Sequence, residues 1–286
     1  MPIVTEHPAI VRAPSDDQIV WRFMSVEKLL SLLTTSSLYF CQLKLLQRDD
    51  PFEGHYTSAQ IQARARVSSD PALIQAIGDE FLKRSGAAES QGFRDNIRRI
   101  YSPENLEMIA NVIALTSYIN CWHLNPHESA ALWKIYSAID AGIAIRTTVG
   151  RLKSAIRADG DVYLGCVEYV DYFKEMLPDG NAMVPAFRKR VNFSHESELR
   201  LYISEMPVKQ DNPSDAPQTG DLTKNPPGIN VPCDLPTLIE ELVVSPLSPA
   251  WFVKAIENVV EHYMGKVPVN RSTILSGPQY SGLRGQ

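Results

Sequence analysis

The apolar positions along the chain change period several times, and each change predicts a new element. Residues 19–23, Ile-Val-Trp-Arg-Phe, form a short apolar run that predicts a first strand. Ser25 follows in N-cap position, where a hydroxyl can accept from an orphan backbone N–H, and Leu29, Leu30, Leu32 and Leu33 give the next helix an apolar side. Residues 37–43 return to β character around Leu38, Tyr39 and Phe40. The segment Asp49-Asp50-Pro51-Phe52-Glu53-Gly54 predicts a turn, because its Pro and Gly interrupt any periodic element.

Residues 56–114 are helical in pattern, in three or four segments; Ser102 caps one of them and Pro103 takes its first position. Residues 115–122 predict a buried strand, 128–137 a short helix, 141–146 a strand, 152–156 a helix and 162–169 a strand. Strict alternation then sets Leu199, Leu201 and Ile203 against Glu198, Arg200 and Tyr202, the pattern of a half-buried strand. Residues 206–228 are rich in Pro, Asp, Asn and Thr and predict a long mobile loop. A helix over 249–264 and a strand at 267–269 close the pattern. Residues 1–17 predict a flexible arm and 273–286 a flexible tail. Strands flank the helical insertion at 56–114 on both sides. That arrangement predicts one α+β domain over 18–272, with a mixed, mostly antiparallel sheet.

Composition narrows the function classes. With 286 residues and 44% hydrophobic content the chain builds its own core and needs no staple. A formal charge of -5 argues against a broad electrostatic footprint for a nucleic-acid backbone. Cys41, Cys121, Cys166 and Cys233 are far apart and form no CxxC pair, which predicts small buried hydrophobes rather than a disulfide framework. No apolar run suggests a membrane span or a signal peptide, so the expected location is the cytoplasm, without membrane association. The glycine-rich fingerprints of dinucleotide and P-loop folds are missing, as are the nucleophile elbow and the HExxH zinc motif. A nucleotide site in this chain must be built another way.

Four groups of residues carry candidate chemistry. On an extended strand Glu196, Glu198 and Arg200 share one face, where paired carboxylates raise each other's pKa and a guanidinium lowers both. Such a set suits a sugar hydroxyl or a developing cation; the same residues also suit a solvated strand face with weak salt bridges. Arg22 interrupts an apolar strand and is either exposed or a clamp for phosphate or carboxylate. Asp49, Asp50 and Glu53 present oxygens for a hard cation, although turn and capping duties explain them more simply, and no metal is expected. Trp133 and Tyr136 share a helical face with Ser129 and Leu132, either as core or as the floor of a pocket for a flat ring. His123 and His127 are separated by Pro126, which spoils a helical metal pair.

Taken in order, these segments resemble a bacterial family known as domain-of-unknown-function family 2971. The matching features are Arg22 in the opening strand, the Asp50-Pro51-Phe52-Glu53 turn, Leu132-Trp133 followed by Tyr136, Gly142 ahead of a strand, and Lys189 with Phe193, Glu196, Glu198 and Arg200. The family commonly has Trp where this chain has Phe193. The resemblance covers most of the chain from residue 18 onward. The layout is also similar to that of ADP-ribosyltransferases, which implies NAD as co-substrate and an acceptor protein or nucleic acid, in a bacterial toxin or phage-defence setting. In that layout Arg22 holds NAD phosphate or ribose, Thr116 and Ser117 lie on the middle strand, Glu198 binds the nicotinamide ribose and Glu196 orients the acceptor. Trp133, Tyr136, Lys189 and Arg200 complete the implied cofactor pocket. A non-enzymatic nucleotide- or protein-binding module and a metal-dependent hydrolase using Asp50, Glu53, Glu196 and Glu198 are the competing expectations.

Overall fold

The structure, a computed structural model, describes residues 3–136, 141–205 and 221–277. The first strands and helices are β1 (Ile3–Val4), β2 (Ile19–Ser25), α1 (Val26–Thr35), β3 (Ser37–Gln42) and α2 (Leu43–Leu46). The helical insertion is α3 (Ser58–Ser69), α4 (Pro71–Ser85), α5 (Phe93–Ile100) and α6 (Pro103–Thr116). After it come β4 (Ser117–Leu124), α7 (Ala130–Tyr136), β5 (Gly142–Thr148), α8 (Val149–Ala155), β6 (Val162–Cys166), β7 (Glu168–Val170), β8 (Arg188–Arg190) and β9 (Glu198–Ser204). The last described part holds β10 (Gly228–Pro232), α9 (Leu235–Leu238), β11 (Glu241–Val244), α10 (Ala250–Met264) and β12 (Val269–Arg271). The fold is α+β and forms one domain.

Ten strands form one sheet, in the order β1-β6-β9-β4-β2-β5-β11-β12, with β3 on β4 and β10 on β3. Its pairs are antiparallel except β1 with β6 and β11 with β12. Helices cover both faces. On one side Leu29, Leu32 and Leu33 of α1 join Leu152 of α8 and Phe252, Ile256 and Val260 of α10 over Val20, Ile143, Ile145, Leu199 and Leu201. On the other, Leu106, Ala110 and Ile113 of α6 pack with Ile119, Tyr172, Phe187 and Tyr202.

The sheet forks along one edge of β4, and this fork makes the site. At one end of that edge His123 and Leu124 pair with Trp21 and Val20 of β2. Further along, Tyr118 and Ile119 pair instead with Gln42 and Cys41 of β3. Between these registers residues 120–122 meet no strand on that side among the described residues. Backbone groups left there need other partners. The Cys121 carbonyl finds one in Arg22, whose Nη1 donates to it at 2.9 Å.

Several local expectations are corrected. Residues 1–17, expected as a loose arm, supply β1, which pairs with β6, and Ala9, which is fully buried. Ser25 is the N-cap residue of α1, but its side chain makes no capping hydrogen bond. Ser102 does cap α6, accepting from the Asn105 N–H at 3.2 Å, with Pro103 at the first position. Thr116 closes α6 rather than lying on a strand. Residues 191–196 form a 3-10 helix, and Ser197 is left-handed at φ 41, so Glu196 is not part of the strand that begins at Glu198. That strand is not half-buried, because both faces of β9 are covered by packed layers. Most of the loop expected at 206–228 lies outside the described residues; its end carries a 3-10 turn at Leu222–Lys224 and then β10.

Candidate functional site

The fork opens into a cleft of about 610 Å³. Side chains alternate across a strand, so the cleft has two sides. Cys121 and His123 lie opposite Arg200 and Glu198 in register and share their face of the sheet. Trp122 points the other way, and the Arg22 guanidinium sits 5.7 Å from its ring centre. Trp21, Phe23, Tyr39, Tyr136 and Phe193 add aromatic walls.

On the Glu198 side the sequence assembles a buried ionic network from three distant segments. Arg200 lies in the middle of β9 with its side chain fully buried. Its Nε binds Glu198 Oε1 at 2.5 Å, one Nη reaches Glu53 Oε1 at 2.7 Å, and the other donates to the Ala186 carbonyl at 2.5 Å. Lys189, from β8, lies 2.5 Å from Glu196, 3.3 Å from Glu198 and 3.6 Å from Glu53. Arg190 pairs with Asp50 at 2.6 Å and lies over the Phe52 ring. The Tyr136 hydroxyl, from the end of α7, donates to Glu196 Oε1 at 2.7 Å.

Burial and charge act against each other in this network. Burial alone would raise the Glu198 carboxyl, but Arg200 and Lys189 beside it pull it down to about 2. Glu53 shares the same two cations, yet burial dominates there and its carboxyl is raised. Desolvation works against the charge on Lys189, and Glu198 and Glu53 more than restore it, so its pKa stands above the ordinary lysine value. Burial, with Glu196 close by, pushes the Tyr136 phenol up.

Arg22 has the opposite situation. It contacts the Cys121 carbonyl and the Trp122 ring, and no carboxylate among the described residues pairs with it. Burial lowers its pKa, the direction expected for a guanidinium whose charge is not compensated nearby.

No protein-family model, curated protein or solved structure matches the chain.

The cleft therefore brings together Arg22, Tyr136, Lys189, Glu196, Glu198 and Arg200 of the residues read from sequence. Two others lie elsewhere. Trp133 is 2% exposed in a small core with Trp21, Ala144 and Val243; it meets Phe23 edge-on at 5.0 Å, and its Nε1 donates to Glu128 at 2.9 Å. Ser117 is buried at the start of β4, 2.7 Å from the Tyr202 hydroxyl, away from the cleft. A solvated strand face does not describe Glu198 and Arg200, which are 5% and 0% exposed.

Two further residues matter here, Glu53 and His123. The sequence suits Glu53 to a turn or to a cation, whereas its side chain lies inside the network at 1% exposure. Its distance in sequence from β9 hides that. His123, separated from His127 by Pro126 in the sequence, lines the cleft. No local signal marks that position, because the register opposite Glu198 exists only in the paired sheet.

The carboxylates do converge, as the hydrolase reading requires. Lys189, Arg190 and Arg200 already stand where a cation would be held, so the set does not fit a metal.

Proposed function

We propose that the cleft binds a nucleotide with separated charges, NAD as co-substrate, and that the protein cleaves its nicotinamide–ribose bond in the manner of an ADP-ribosyltransferase or glycohydrolase. This reading keeps the resemblance to domain-of-unknown-function family 2971 as part of the proposal. The observation that carries it is Arg22, a half-buried residue whose guanidinium lies in an aromatic-walled cleft with no carboxylate partner among the described residues. A phosphate supplies the missing anion, and the guanidinium fork suits bidentate contact.

The other side of the sheet fits the opposite end of such a ligand. The carboxyl groups of Asp50, Glu53, Glu196 and Glu198 line it beside Lys189, Arg190 and Arg200. Cleavage of the glycosidic bond develops positive charge on the ribose. A preorganised anionic wall stabilises that charge without reorganising, a contribution on the order of several kcal/mol. Glu198 is the fixed negative charge of this wall, because Arg200 and Lys189 keep it ionised. Glu196, tied to Tyr136 and Lys189, is placed to accept from a ribose or acceptor hydroxyl.

A binding-only reading has one observation in its favour. Both Glu198 oxygens are already engaged by Arg200 and Lys189. The two readings part in one experiment, calorimetry with NAD beside an assay of nicotinamide release, run with and without bacterial lysate as acceptor source. Release that is abolished by Glu198→Gln supports the enzyme. Binding without release supports the module, and absence of binding removes both.

A further inference from the structure

One histidine of the cleft stands outside the ionic network. His123 is 5% exposed and lines the cleft on the carboxylate side. Its Nδ1 lies 2.5 Å from the Glu196 carbonyl oxygen. A carbonyl only accepts, so Nδ1 carries the hydrogen and Nε2 presents its lone pair. Nε2 is buried and has no hydrogen-bond partner among the described residues. Buried polar atoms are normally satisfied, and an orphan acceptor within a cleft points to a ligand that brings a donor.

Resting on the NAD reading above, we infer that His123 is the general base of the cleft and that the acceptor is an uncharged O–H group, water or an alcohol. The acceptor oxygen attacks the anomeric carbon of the nicotinamide ribose as the C–N glycosidic bond breaks. The bonding pair leaves on nicotinamide, and the O–H proton passes to His123 Nε2, from which solvent removes it. NAD and the hydroxyl compound thus give the ADP-ribosyl product, nicotinamide and one proton. A hydroxyl needs such a base, since its own acidity is far too weak at neutral pH.

The surroundings of His123 fit this role. Glu198 faces it from β9, Glu196 and His195 from the 3-10 helix, Tyr136 reaches it through Glu196, and Lys189 stands behind both carboxylates. Phe23 lies at 6.3 Å and restricts the ring from its apolar side. Burial favours the neutral imidazole, the form that accepts a proton.

His123→Asn is the decisive variant, because an Asn amide can still donate to the Glu196 carbonyl while the Nε2 acceptor is gone. The full chain is assayed with NAD for nicotinamide release between pH 5 and 9, with and without lysate, beside NAD affinity and melting temperature. His123→Asn is expected to lower kcat roughly 100-fold, to leave NAD affinity within about threefold, and to abolish the acid limb of the wild-type rate profile. His123→Gln, which keeps an amide near Nε2 and loses the contact to Glu196, serves as the second variant should the first fail to fold. A wild-type kcat and acid limb in a folded variant overturn the general base and leave the NAD reading standing. NAD bound without turnover in either condition also overturns the base, whereas no NAD binding removes the underlying reading as well.

Discussion

Glu53 and Arg200 meet at 2.7 Å with side chains 1% and 0% exposed, one from the turn after α2 and the other from the centre of β9. The contact ties the start of the helical insertion to the middle of the sheet. It also leaves Glu53 and Glu198 competing for one guanidinium. Arg200→Met should leave two buried carboxylates with Lys189 alone, at a cost on the order of 3–5 kcal/mol. Adding Glu53→Gln should recover part of that loss. Urea denaturation of the single and double variants measures both, and additive effects would mean that the pair is not coupled.

Arg22→Gln should fold, since it removes one hydrogen bond to the Cys121 carbonyl and no ion pair. Its affinity for NAD should fall roughly tenfold to hundredfold, the range of a hydrogen bond to a charged group. Titration calorimetry reads this directly. An unchanged dissociation constant would remove phosphate from Arg22.

Glu198 has a folded pKa held down at about 2 against an ordinary 4.5. Its contribution to stability is therefore fully present above the ordinary value and is lost as pH falls from there toward 2. The melting temperature of the wild type should drop through that window, and Glu198→Gln should flatten that part of the curve. A variant curve parallel to the wild type would show that Glu198 is not the group concerned.

His123 acts at higher pH. Burial lowers its folded pKa below the ordinary 6.5, so the fold favours the neutral ring. That stabilisation is present above 6.5 and is lost as pH falls below it. Thermal melts between pH 7 and 5 should show the loss in the wild type and less of it in His123→Asn.

Trp133 and Tyr136, three residues apart on α7, should separate structure from site. Trp133→Ala should cost about 3–5 kcal/mol, because the ring fills a core against Phe23. Tyr136→Phe removes only the hydroxyl bound to Glu196 and should cost about 1 kcal/mol, with a larger effect on nicotinamide release. Equal melting temperatures for the two variants would contradict this division.

Several elements are legible from local signals in the chain. Period-two alternation at 198–203, the Ser102-Pro103 cap and the leucines of α1 are local signals, and local backbone preferences govern strands, caps and amphipathic faces. The same local pattern placed Glu196 on a strand and failed, because a left-handed Ser197 breaks the extended run.

Tertiary packing alone brings Glu53 to Arg200, leaves Arg22 without a carboxylate among the described residues, and puts Trp133 in a core while Tyr136 borders the cleft. The Arg22 contact lies where β4 exchanges β2 for β3 as its neighbour. Strand pairing joins residues remote in sequence, and no periodicity along the chain encodes the place where a sheet forks.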